Sequence, residues 1–355
     1  MSTAPVYATP SGGHLRAFGR FVLAGLFFLL ARGVAHSGAK GLAGEEWLPL
    51  VEQGMLVFLL VVGYACAGFV LSRQTNPVRQ QGLWLRKGWF VELGMGVAAG
   101  WAIAVVCVLP LVLFGGIALG FSFSWSSLGW LFADGAFFAL ATLALQVAFR
   151  GYPFQQAIEA VGELPAVLVV SVLAGILQAW LPGASRSSMA VSITLGLLLS
   201  MAYLRTRALW VPWGLHFGWL ASRALLFGLP VSGTTSHSPL VQGEPIRALS
   251  LAGYGFGLDG SWFSCVVMLI AMPFVYRATR DLSFEYNAPV LIPGGIPVDL
   301  DAAAQRQHES ATRPETPEVK PLVQILPAMT PPPMPAPDLD LPRLDSRDGT
   351  SISEN

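Results

Sequence analysis

The stretch TLALQVAFRGYPF, residues 142–154, decides how the chain is read. It closes an apolar segment at Arg150 and Gly151. Gln146 and Arg150 lie four residues apart, which puts them on one face if the segment is helical. The chain around this stretch has 355 residues, of which 54% are hydrophobic and 12% charged. Soluble domains carry about 25% charged residues, so the composition calls for a membrane protein. The formal net charge is +0, which gives nucleic acid nothing to bind. Cys66, Cys107 and Cys265 lie in separate apolar runs and are read as small buried hydrophobes rather than a disulfide or a metal site.

Eight apolar segments follow one another. The first runs from Phe21 through Ala31 after Arg16 and Arg20, and is expected to be a retained span rather than a cleaved signal. The others are Gly54–Leu71, Leu93–Phe114, Leu128–Phe149, Pro165–Pro182, Met189–Leu204, Ala208–Val231 and Ser261–Tyr276. Each approaches the ~17–25 residues needed to cross a bilayer. Those beginning at Phe21, Met189 and Ser261 are short, and Arg223 interrupts the Ala208 segment, so six spans is the lower bound. The expected fold is therefore all-α, a polytopic transmembrane helix bundle of about eight spans.

Arg and Lys mark the sides. Arg73, Arg79, Arg86, Lys87, Arg150, Arg205, Arg207, Arg277 and Arg280 fall in loops on the side of the N-terminus, against Lys40, Arg186 and Arg247 opposite. Both termini are expected to be cytoplasmic. Residues 1–15 read as a disordered N-terminus, 16–127 as N-terminal transmembrane helices, 128–280 as the membrane core, and 281–355 as a disordered Pro-rich cytoplasmic tail. The tail carries the run Pro331 to Pro337, a spacer or a docking segment for a tail partner. Gly96 and Gly100 form a GxxxG pair, read as close helix packing. The GxGxxG from Gly255 to Gly260 lacks a preceding strand and reads as a turn.

Polar groups inside spans need a reason. They are Asp134, Thr142 and Gln146 in the fourth segment, Gln178 in the fifth, and His216 and Arg223 in the seventh. His216 is the one histidine of five in a span. Gln146, Arg150, Gln178 and His216 are the candidate site residues. If they converge they form a polar cluster with Arg150 at its mouth, and packing glue between helices is the plain alternative.

FRGYPFQQ at 149–156 and RTRALWVPWGLHFGWL at 205–220 resemble the CPBP family of polytopic, metal-dependent intramembrane endopeptidases, which includes the type II CAAX prenyl endopeptidases and bacteriocin-processing proteins. The resemblance spans Leu128 to Tyr276 and extends to bacterial members. It implies three motifs: Glu-Glu-x-x-x-Arg, Phe-x-x-x-His and His-x-x-x-Asn or Asp. A hydrolytic zinc site needs about three protein ligands, an open water position and a carboxylate base. The sequence departs from that pattern. The two acids fall on Leu145 and Gln146, the second motif falls on Ala174 and Gln178, and Leu220 stands four residues after His216. Glutamine cannot act as a base, and His216 remains as a weak metal candidate.

Three functions compete on these residues. The first is a catalytically impaired binding or scaffolding homologue in the bilayer, with no cofactor and a membrane-associated or prenylated protein as ligand. The second is an active zinc intramembrane protease of such proteins. The third is an unrelated transporter or channel. A bacterial inner (plasma) membrane is the expected location.

Overall fold

Helix α1 (Ser11–Leu42) and helix α2 (Leu48–Ser72) lead the chain. The computed structural model describes residues 11–233, 241–245, 253 and 256–282. These belong to a unit that spans Met1–Thr312. The expected tail lies outside the described residues except for Asp281 and Leu282. So does Gly255, and with it the start of the GxGxxG stretch. Seven more helices follow: α3 (Trp89–Leu113), α4 (Trp125–Arg150), α5 (Tyr152–Val161), α6 (Glu163–Ala179), α7 (Arg186–Thr206), α8 (Trp210–Ala221) and α9 (Trp262–Ala278).

The all-α polytopic bundle is as expected. Five stretches are long and apolar enough to cross a membrane: Gly13–Leu42, Leu48–Ser72, Trp89–Leu113, Trp125–Val161 and Arg186–Thr206. The other three expected spans coincide with shorter helices. Helices α6 and α9 have 17 residues each, a rise of ~25 Å at 1.5 Å per residue against ~30 Å of hydrocarbon. Helix α8 continues past Ala221 as a π-helical turn through Leu226. Large apolar side chains such as Leu26, Leu30, Phe58 and Ile270 stand exposed on the helices. Apolar surface of that kind is suited to lipid and not to water.

Three local features depart from the sequence reading. Residues 11–15 belong to α1, so the boundary drawn at residue 15 moves toward the N-terminus. Beyond Gly151 the chain does not enter a loop but starts α5, with Pro153 in its first turn. A Cβ at Gly151 would press on the Val147 carbonyl, so glycine permits the sharp turn between the two helices. Finally, two short strands, β1 (Ile117–Phe121) and β2 (Val241–Pro245), pair antiparallel with Ile117 opposite Pro245. They join the α3–α4 connection to the α8–α9 connection.

Packing divides into two large apolar clusters. One gathers α1, α2, α4, α5 and α6 around Phe28, Leu60, Tyr64, Val147 and Phe154. The other gathers α3, α7, α8 and α9 around Cys107, Leu198, Leu215, Trp219 and Met268. Helices α3 and α8 make the closest pair. A Cβ at Gly96 would run into Val211 O, and one at Gly100 into Leu215 O. In return, a Cβ at Gly214 would strike Leu93 O and one at Gly218 would strike Val97 O. The expected GxxxG on α3 therefore meets a second GxxxG on α8, backbone against backbone. Helices α6 and α7 repeat the device more loosely, with Gly175 against Ile193 and Gly196 against Ser171.

Polar contacts fix both ends of α8. At its start, Leu209 N donates to Gly82 O at 3.0 Å, and Trp210 Nε1 donates to Trp84 O at 2.8 Å. Arg86, in a two-point ion pair with Glu92 at 2.7 and 2.8 Å, also donates to Thr206 O. At its far end, Arg223 is fully buried and its Nη1 lies 2.9 Å from Asp259 Oδ1. Arg223 Nε donates to Trp219 O at 3.0 Å, and the guanidinium lies 4.0 Å over the Trp219 ring. Asp259 precedes α9, so this pair ties the α8–α9 connection back onto the bundle.

Two expectations follow from this packing. Gly218→Leu lowers stability by at least the ~1–3 kcal/mol typical of overpacking, since a backbone carbonyl cannot move aside. Gly94→Ala, on the same α3 with open space around it, is neutral, and thermal unfolding in detergent separates the two. Asp259→Ala leaves Arg223 buried without its counter-ion, at a cost of about 3–5 kcal/mol, whereas the double change Arg223→Met with Asp259→Ala restores most of the lost stability in the same assay.

Candidate functional site

A cavity of about 350 Å³ opens where the two apolar clusters meet. Its walls come from α1, α2, α4, α6, α7 and α8, with Phe28, Leu56, Phe137, Leu199 and Leu220 among the apolar lining. Arg150, Gln178 and His216 all line it. Gln146 stands behind His216 rather than on the cavity wall.

The helical spacing explains the placement. On α4, Ala141, Ala144 and Leu145 face the cavity, and Arg150 follows about one turn further on. Gln146 points instead toward α8, where its Nε2 lies 2.9 Å from His216 Nδ1. The amide donates to the ring, which puts the imidazole proton on Nε2. Gln146 Oε1 is buried without a partner. On α8, the glycines at 214 and 218 face α3, so His216 between them turns to the other side. Trp213 Nε1 holds that side against α4 through a 3.0 Å bond to Ala139 O.

Arg150 does not sit at a mouth. It is 2% exposed, and its Nη2 donates to Gly196 O in the middle of α7 at 2.9 Å. Its Nε is buried with no partner. No carboxylate pairs with it among the described residues.

On α6, Ala174 and Gln178 stand one turn apart and both line the cavity. Gln178 does not reach His216. Its Nε2 donates to Ser232 Oγ at 3.0 Å, and Ser232 donates from both N and Oγ to Asp259 Oδ2 at 3.1 and 2.9 Å. Three of the four candidate residues thus fall into two arms around one cavity, and Arg150 stands apart from both. One arm is Gln146 with His216, and the other is Gln178 with Ser232, Asp259 and Arg223. Asp259 and Ser232 escape a search for motifs because both sit in connections. The signal that could have found Asp259 is Arg223: a cation inside a span calls for an anion. Asp134, buried on α4 three turns before Gln146, is not on the cavity wall.

Zinc, which the family resemblance implies, does not fit these donors. Its ligands are Cys, His and carboxylate, usually three from the protein. No group of three or more His, Cys, Asp or Glu comes together among the described residues. His216 has an amide beside it, Leu145 and Leu220 are apolar, and Asp259 is engaged by Arg223 and Ser232.

Comparison with known proteins places the site in a family. Residues 135–222, about a quarter of the chain, match the family model described as Type II CAAX prenyl endopeptidase Rce1-like. The match is narrower than the Leu128–Tyr276 expected, and it contains Gln146, Arg150, Gln178 and His216 but not Asp259. No curated protein and no solved structure matches the chain. With its apolar helices and this match at its centre, the chain is an integral membrane protein whose residues 135–222 are similar to the type II CAAX prenyl endopeptidase Rce1-like family.

Proposed function

We propose that this chain is a binding or scaffolding member of the CPBP-type protease family that no longer cleaves what it holds. The observation that carries the proposal is the 2.9 Å contact between the Gln146 amide and His216 Nδ1. An ionised carboxylate there would act as a base and as a zinc ligand, whereas a neutral amide is no base at neutral pH and is not among the usual ligands of zinc. Loss of one general base costs about 10²–10⁴ in rate, and loss of ligands removes the metal as well.

In this reading Gln146, Arg150, Gln178 and His216 are ligand-facing or positioning groups. The ligand is a membrane-associated or prenylated protein held from within the bilayer, and no zinc is resident. The distribution of Arg and Lys supports an orientation with both termini on the cytoplasmic side, and the membrane we propose is a bacterial inner membrane. In that orientation residues 281–355 are cytoplasmic, and their Pro-rich run is a proposed docking segment. One observation favours the active-protease alternative: Asp259 lines the same cavity as His216 and supplies a carboxylate from outside the family motifs.

Metal analysis of the detergent-purified chain separates the two. We expect well under one zinc per chain, and unchanged processing of membrane proteins in cells when His216 becomes Ala. Stoichiometric zinc that disappears in both His216→Ala and Asp259→Ala would instead establish a protease with a displaced carboxylate.

A further inference from the structure

We infer that the cavity is a receptor for a single-chain amphiphile with a carboxylate headgroup, and that Arg150 binds that headgroup. The inference rests on the cavity being a binding site and is indifferent to whether any cleavage occurs.

The charge balance comes first. Arg150 is 2% exposed and lines the cavity. A guanidinium has five N–H donors, and the one acceptor that Arg150 meets among the described residues is the Gly196 carbonyl. Its Nε is buried and unsatisfied. A charge withdrawn from water in this way is costly unless an anion meets it. None of the anions among the described residues does. The only acid on the cavity wall among the described residues, Asp259, is committed to Arg223 at 2.9 Å. Positions 145 and 146, immediately upstream on α4, are leucine and glutamine. A second cation, Arg32 of α1, also lines the cavity. Among the described residues the cavity wall therefore carries excess positive charge, and we assign the counter-ion to a ligand.

Shape and polarity define the rest of that ligand. Around Arg150 the wall is apolar: Phe28, Leu56, Ala144, Leu145 and Leu199. A volume of about 350 Å³ lies at the low end of small-molecule pockets, about 300–1,000 Å³. One alkyl chain with a compact head fits such a space, and a two-chain phospholipid does not. Four of the five guanidinium N–H groups remain without an acceptor among the described residues once Gly196 is served. Carboxylate and phosphate can both pair with the guanidinium fork, and the carboxylate, the more compact head, is the one assigned to so small a cavity.

The test uses the full chain in a neutral detergent, with laurate as the ligand and dodecanol, dodecylamine and dodecyl phosphate as controls. Thermal unfolding against ligand concentration reports binding. Laurate is expected to raise the midpoint at concentrations where dodecanol and dodecylamine do not, and to do so at lower concentration than dodecyl phosphate. Arg150→Met is expected to weaken laurate binding ~10- to 100-fold, the range of a charge-assisted hydrogen bond. Should Arg150→Met not fold, Leu145→Trp fills the cavity while keeping the arginine, and the same loss is expected. Equal protection by laurate and dodecanol, or unaltered laurate binding in a folded Arg150→Met or Leu145→Trp protein, overturns the inference. Preference for dodecyl phosphate overturns the carboxylate assignment. Zinc content and cleavage do not enter these readouts, so their outcome bears on the proposed function alone.

Discussion

The arrangement of the site depends on one contact, the backbone-to-backbone seating of α3 on α8. Gly96 and Gly100 on one helix and Gly214 and Gly218 on the other leave no room for any side chain between them. Contacts of this kind are the main attraction available to helices in lipid, where no hydrophobic force separates helix from solvent. The seating fixes the rotation of α8 about its axis. Because His216 lies between the two glycines, its direction is fixed as well, and it meets Gln146 of α4. Trp219, Arg223 and the connection that carries Asp259 then follow from the position of the same helix.

Two polar arms flank the one cavity. The His216–Gln146 arm is neutral in composition, an imidazole and an amide. The Gln178–Ser232–Asp259–Arg223 arm contains opposite charges that satisfy each other. Arg150 belongs to neither arm. It is a buried cation on the cavity wall that no carboxylate among the described residues pairs with.

Much of the bundle is legible from residue order alone, because membrane spans announce themselves by length and apolarity. The GxxxG on α3 is legible too, yet its partner is not. Gly214 and Gly218 flank His216, and the histidine draws the eye to chemistry where the glycines speak of packing. Helix α5 is hidden because Gly151 and Pro153 look like the end of order, although proline is well tolerated in a helix's first turn. The pairing of β1 with β2 cannot be read locally, since the strands sit in connections more than a hundred residues apart. Asp259 is the instructive case. Its neighbours Gly257 and Gly260 suggest only a turn, and its meaning appears once Arg223 is seen to need an anion. The depth of Arg150 likewise escapes a count along α4, because the long side chain reaches across to Gly196 rather than toward the end of its helix.

The Arg223–Asp259 pair also bears on how the protein is made. Arg223 is synthesised and inserted before the segment that carries its counter-ion exists. Until Asp259 is in place, α8 is a span with an unneutralised guanidinium, and such a span inserts poorly. The pair thus couples the settling of α8 in the bilayer to the segment that leads into α9.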